Sequence, residues 1–122
     1  MTLRATLTAI FATTAVVALS HVVTADEASE QKLKATKQCV GCELINADLT
    51  GAGLSGANLT DADLRGATFY GADLTNATFT NANLTGTNLS NANLRGARGA
   101  SLSLAQTNER TTCPNGQAGP CN

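Results

Sequence analysis

From Cys42 to Gly96 the chain repeats one apolar and polar phrase every five residues. In blocks it reads CELIN, ADLTG, AGLSG, ANLTD, ADLRG, ATFYG, ADLTN, ATFTN, ANLTG, TNLSN, ANLRG. The central residues are Leu44, Leu49, Leu54, Leu59, Leu64, Phe69, Leu74, Phe79, Leu84, Leu89 and Leu94, here called position i. Ala stands at i−2 in every block except two, which carry Cys42 and Thr87 there. Side chains of extended backbone alternate between faces. Each block therefore turns Ala and Leu or Phe inward, and Asp, Asn, Thr, Ser or Arg outward at i−1 and i+1. The fifth residue, i+2, is Gly, Asn or Asp, types that tolerate left-handed backbone and local turns, so each block ends in a corner. A strand too short to bury a face alone must stack on its neighbours, which predicts a repeat architecture.

The phase runs past the clean blocks. Backwards, Lys37-Gln38-Cys39-Val40-Gly41 keeps a corner Gly and places Cys39 at i. Forwards, residues 97–101 are degenerate, but Leu102-Ser103-Leu104-Ala105-Gln106 restores an inward pair, Leu102 and Leu104. The solenoid is thus expected over residues 37–106. Before it, residues 26–36 are rich in helix formers. They predict a short capping helix with Ser29 as N-cap and Leu33 laid over the open first coil; the alternative is a frayed tail. After it, two Gly, two Pro and an Asn-Gly step make residues 107–122 a cysteine-containing looped tail.

The Ala-(Asp/Asn)-Leu-x-x phrase resembles the motif of the pentapeptide-repeat family, over about half the chain. The resemblance implies an all-β fold with four blocks per coil, a right-handed quadrilateral β-helix. On that geometry residues twenty apart stack, in columns Leu44/Leu64/Leu84, Leu49/Phe69/Leu89, Leu54/Leu74/Leu94 and Leu59/Phe79. Phe69 and Phe79 then meet across the lumen. Cys39-Val40-Gly41-Cys42 running straight into Glu43-Leu44-Ile45-Asn46-Ala47-Asp48-Leu49 is similar to the short, signal-bearing cyanobacterial members. That likeness implies export to the periplasm or thylakoid lumen, and no activity.

Residues 1–25 carry Arg4, an apolar run of about fifteen residues from Ala5 to Leu19, and Val23-Thr24-Ala25 before acidic Asp26-Glu27. This is the pattern of a secretory signal cleaved after Ala25. The run is shorter than the ~20 residues of a membrane span, which weighs against a retained anchor. In an exported chain the four cysteines suggest disulfides. Cys39 and Cys42 both point inward across one corner, and Cys113 with Cys121 closes a short terminal loop, so local pairs are expected; a back-folded tail would permit cross-pairing. A redox Cys-x-x-Cys lacks its βαβ context, and a four-cysteine zinc site would join pairs at opposite ends of the stack.

Charge and composition remove other classes. Beyond the signal, seven basic residues face nine acidic ones, and neither sign dominates as nucleic-acid or anionic-membrane binding requires. The single histidine, His21, lies in the signal, so His-dependent triads and His-ligated metals are excluded from the mature chain. No catalytic residue, cofactor, metal or small-molecule substrate is expected. Glu43 and Asp63 share an outward column relieved by Arg65, the pattern of a solvated face. Four Asn-x-Thr/Ser triplets, at Asn58, Asn76, Asn83 and Asn88, arise from the repeat grammar itself. The reading is a non-catalytic structural or interaction module with an unidentified protein partner. A DNA-mimicking gyrase protector wants a longer, more acidic, cytoplasmic rod. An ice or mineral binder wants a Thr array that here has one rung, Thr78-Phe79-Thr80. Tyr70 is the only Tyr and points outward at i+1 between Thr50 and Ser90, which makes that column the candidate interface.

Overall fold

The computed structural model describes residues 25–121, and the signal segment proposed for residues 1–25 lies outside them but for Ala25. The body of the protein is a β-solenoid. Parallel bridges join i−1 positions twenty residues apart: Gln38 to Asn58, Glu43 to Asp63, Asp48 to Thr68, Gly53 to Asp73, and onward to Thr78 with Arg98. An offset of twenty in a five-residue repeat means that four blocks complete each coil. Every wall is held the same way: Leu49 N–H donates to the Thr68 carbonyl (2.8 Å) and Thr68 N–H to the Ala47 carbonyl (2.9 Å). Parallel pairing of such short rungs satisfies the backbone only through stacking, so no coil is stable alone.

The corners form where the sequence places them. Asn46, Asp61, Asn76, Asn81 and Asn91 have φ between 58 and 61°, and the corner glycines lie in the same left-handed region. Inside, the centres from Leu44 to Leu94 are buried, and Phe69 and Phe79 belong to one apolar cluster with them. Thr87, standing where Ala is the rule, is fully buried. Its hydroxyl donates to the Leu64 carbonyl at 2.8 Å, so the polar atom enters the lumen satisfied.

The first coil is closed by helix α1, Ala25–Thr36. Ser29 lies inside this helix and is not its N-cap, because the helical run begins four residues earlier. Leu33 is fully buried over the coil. Glu30 Oε1 accepts from Asp48 N–H (3.1 Å) and Lys34 Nζ donates to the Asp48 carbonyl (3.3 Å). In later coils the coil below accepts from the equivalent N–H; here the Glu30 carboxylate stands in for it. The helix ends on Lys37 in left-handed conformation (φ 57°), with its N–H on the Leu33 carbonyl (2.8 Å).

The far end departs from expectation. Leu104 is 65% exposed, not inward. The register slips by two within residues 97–105, so that Asn88 bridges Gln106 at an offset of eighteen, and one extra residue between Gln106 and Thr112 brings the offset to nineteen where Asn93 bridges Thr112. Leu102, buried, takes the centre, and Ala105 N–H returns to its carbonyl (3.0 Å), as Ala97 N–H does to Leu94 (2.8 Å). The block opening at Ala97 is therefore cut to three residues, and Leu104 falls on a corner. Gly99 makes this cut feasible: at φ 69° it passes so close to Thr80 that a Cβ would sit 2.8 Å from its Cα.

Residues beyond 106 do not form a detached tail. Leu94 N–H donates to the Thr112 carbonyl (2.8 Å) and Gly96 N–H to the Pro114 carbonyl (2.9 Å), so the ladder reaches Pro114. Thr111 repeats the device of Thr87, fully buried with its hydroxyl on the Leu89 carbonyl (3.0 Å). The last residues fold back: Thr112 pairs antiparallel with Ala118, and Gly119 N–H donates to the Thr111 carbonyl (2.7 Å).

Candidate functional site

Outward positions are the only ones the stack leaves for recognition, and most of their acceptors are already engaged. Asp48, Asn58, Asp73, Asn83, Asn88 and Asn93, all at i−1, turn Oδ1 onto the N–H of their own i+1 residue at 3.0–3.1 Å. These closures explain why Asp and Asn recur at i−1: an amide that turns away from the ladder meets a local carboxyl or amide oxygen. The same bonds act on acidity. The Thr75 hydroxyl, then its N–H, holds the Asp73 carboxyl below the usual carboxylate range, and Thr50 does so for Asp48. Arg65 lowers Asp63 in the same way through a bidentate pair (Nε to Oδ1 2.8 Å, Nη2 to Oδ2 2.7 Å). In the Glu43/Asp63 column, Arg65 thus neutralises Asp63.

Tyr70 differs. It is 45% exposed, on the wall where Gly51 N–H donates to its carbonyl (2.8 Å). Its hydroxyl accepts from Asn91 Nδ2 at 2.6 Å, one coil further on. Asn91 in turn exchanges bonds with Asn108: Asn91 N–H donates to Asn108 Oδ1 (3.1 Å) and Asn108 Nδ2 to Asn91 Oδ1 (3.0 Å). At ordinary corners the equivalent N–H is taken by a backbone carbonyl; here the side-chain amide of Asn108 replaces it. Asn108 N–H donates to Thr111 Oγ1 (3.0 Å), so the network runs from the exposed phenol to the buried end of the lumen.

Beside Tyr70 lies a shallow hollow of about 530 Å³, lined also by Asn91, Thr107, Asn108, Glu109, Arg110 and Pro120. Of the sequence-derived column, only Tyr70 contributes to it; Thr50 is exposed below and Ser90 is half-buried. Asn91 is a regular corner residue; the remaining lining residues went unnoticed in the sequence because they follow the register slip, where the five-residue phase no longer assigns a face. Asn108-Glu109-Arg110, read as aperiodic loop, carried no signal that could have placed it.

The cysteines form two disulfides at opposite ends, Cys39–Cys42 and Cys113–Cys121. Cys39 Sγ lies 3.6 Å from the Ser29 carbonyl of α1, a packing contact because a disulfide sulfur carries no proton. Cys121 N–H donates to Thr107 Oγ1 (3.0 Å), which ties the last disulfide to the rim of the Tyr70 hollow. Among the described residues no cluster of His, Cys, Asp and Glu has the arrangement of a metal site, and no helix is long and apolar enough to cross a membrane.

The family model for pentapeptide repeats matches in eight copies, over residues 42–81, 62–98 and 72–108. Among solved structures, the chain is 33% identical to HetL, a pentapeptide repeat protein involved in heterocyst differentiation regulation from the cyanobacterium Nostoc, with 67% of this chain and 40% of that one covered and a TM-score of 0.36. It is 36% identical to a pentapeptide repeat protein of the Arabidopsis thaliana thylakoid lumen, covering 62% of this chain and 59% of that one, with a TM-score of 0.31. It is 25% identical to QnrB1, a plasmid-mediated fluoroquinolone resistance protein, covering 61% and 45%, with a TM-score of 0.32. The chain therefore spans less than two thirds of each of these proteins. No curated protein matches it.

Proposed function

The chain belongs to the pentapeptide-repeat family, and from that premise we propose that it is a non-catalytic interaction module of an extracytoplasmic compartment, periplasm or thylakoid lumen, which meets a protein partner through the face around Tyr70. Proteins of this family are generally structural or interaction modules. The coil is proposed to be right-handed and square in section, with residues 1–25 removed on export. Neither nucleic acid, membrane, cofactor nor small-molecule substrate enters this reading.

One observation carries it: among the described residues, Tyr70 is the one aromatic side chain left substantially exposed, and it stands beside the hollow of about 530 Å³. Aromatic side chains supply large, rigid contact area with a polar tip, and anchors of this kind dominate interface energetics. On the regular walls most outward residues are small and polar, and many close on their own i−1 side chains. Two disulfides in a chain of this size support an oxidising compartment.

The test is affinity capture from the native compartment with wild-type protein and Tyr70→Ser, after equal melting of the two forms is established. A partner recovered by wild type and lost by Tyr70→Ser is expected. Equal recovery by both would remove this face from the account. Edman sequencing or intact mass of the secreted protein should give Asp26 as the N-terminus.

A further inference from the structure

The face around Tyr70 is made of two parts that are far apart in sequence. Tyr70 and Asn91 belong to regular blocks, fixed by the ladder. Thr107, Asn108 and Pro120 belong to the segment after the register slip; Asn108 is held by Asn91, whereas Pro120 lies within the loop closed by the disulfide between Cys113 and Cys121. Cys113 sits on a ladder rung, next to Thr112 bridged to Asn93. Cys121 has no rung of its own; its N–H reaches Thr107 Oγ1, and Pro120 beside it forms one side of the hollow. Both sulfur-bearing residues, largely buried, also border a second hollow of about 410 Å³ at the end of the solenoid.

We propose that the Cys113–Cys121 bond is a clasp that completes the Tyr70 face, so that its reduction by a dithiol dismantles the face while the coils stay folded. This rests on reading the Tyr70 face as the contact surface. The chemistry balances with a dithiol reductant of the Cys-x-x-Cys class. One thiolate attacks a clasp sulfur, breaking the S–S bond and forming a mixed disulfide. The second thiol then resolves it. Cys113 and Cys121 leave as thiols having gained two electrons and two protons, and the reductant leaves as its disulfide. Without the covalent closure the segment 116–121 retains only its backbone bonds to the last coil, and Pro120 and the Cys121-to-Thr107 tether are the parts furthest from a rung.

The chain supplies its own probe, because it contains a single Tyr and no Trp. Acrylamide quenching of Tyr70 emission is read for the oxidised protein, for Cys113→Ser/Cys121→Ser, and for Cys39→Ser/Cys42→Ser, with far-UV circular dichroism alongside. The clasp variant should quench more strongly than wild type with the spectrum of the coils retained, and adding dithiothreitol to Cys39→Ser/Cys42→Ser should produce the same rise. Unchanged quenching in the clasp variant overturns the proposal, as does a rise in oxidised Cys39→Ser/Cys42→Ser equal to that of the clasp variant. Should the clasp variant lose its folded spectrum, that too overturns it, since the coils were to survive; Pro120→Gly, which keeps the disulfide, then tells whether the wall at Pro120 shields Tyr70 at all. The two readings fail separately. Equal partner capture by wild type and Tyr70→Ser sinks the contact face but leaves the quenching result standing, whereas unmoved quenching sinks the clasp and leaves the contact face intact.

Discussion

At the scale of single residues, the outward Asp and Asn are structural before they are anything else. Asp73 Oδ1 takes both the N–H and the hydroxyl of Thr75 (3.0 and 2.5 Å), a closure that Asn can make equally well and Ala cannot. Asp73→Asn should therefore leave urea denaturation nearly unchanged, while Asp73→Ala lowers stability by about 0.5–1.5 kcal/mol. The depressed acidities of Asp48, Asp63 and Asp73 set the pH response. A carboxyl whose folded-state pKa lies below its unfolded value contributes stability that is complete above the unfolded value and vanishes as pH falls through the folded one. The melting temperature should thus hold through the neutral range and decline once pH drops below the ordinary value of 3.8, and the Asp48→Asn/Asp63→Asn/Asp73→Asn variant should flatten that decline. Thr87 belongs to the same scale. Its hydroxyl bond to the Leu64 carbonyl predicts a loss of about 1 kcal/mol in Thr87→Val, measured by the same denaturation.

At the scale of elements, the two ends are closed by different means. Helix α1 seals the first coil with Leu33 in the lumen and Glu30 and Lys34 on the Asp48 peptide unit. Leu33→Ala should cost about 2–5 kcal/mol, as truncation of a fully buried leucine does. It should also speed hydrogen exchange at Asp48 and Thr50 before it does so at Asn88. The walls, the corners and the Cys39–Cys42 pair could be read in the sequence because a five-residue phase fixes the face of every side chain from Lys37 to Leu94. That legibility ended at Ala97. One shortened block, passing Thr80 on Gly99, and one extra residue between Gln106 and Thr112 shift the later residues, so Leu104, inward by the five-residue phase, is exposed, and Gln106 is a ladder residue. The span from Thr107 to Pro114 was illegible for the same reason: it stacks by register inherited from the slip and carries no Ala-x-Leu phrase of its own. The α1 boundary was misplaced at Ser29 because capping propensity competes with helix formers on both sides of it.

At the scale of the whole molecule, stability is a property of stacking. A lumen filled by one small and one large apolar residue per block has no room for an unpaired charge, so Leu74→Asp should abolish the folded spectrum and the melting transition. The central claim is the register: four blocks per coil, with a slip at the far end that brings the Asn108 segment against Tyr70. Scalar couplings across hydrogen bonds, from amide nitrogen to carbonyl carbon, measure it directly in solution. Leu49 should couple to Thr68 and Phe69 to Asn88, each nineteen residues on, and after the slip Leu89 should couple to Gln106 and Leu94 to Thr112. Coupling of Leu89 to Asn108, the partner an uninterrupted twenty-residue register requires, or the absence of the Leu49 and Phe69 couplings, would contradict the account.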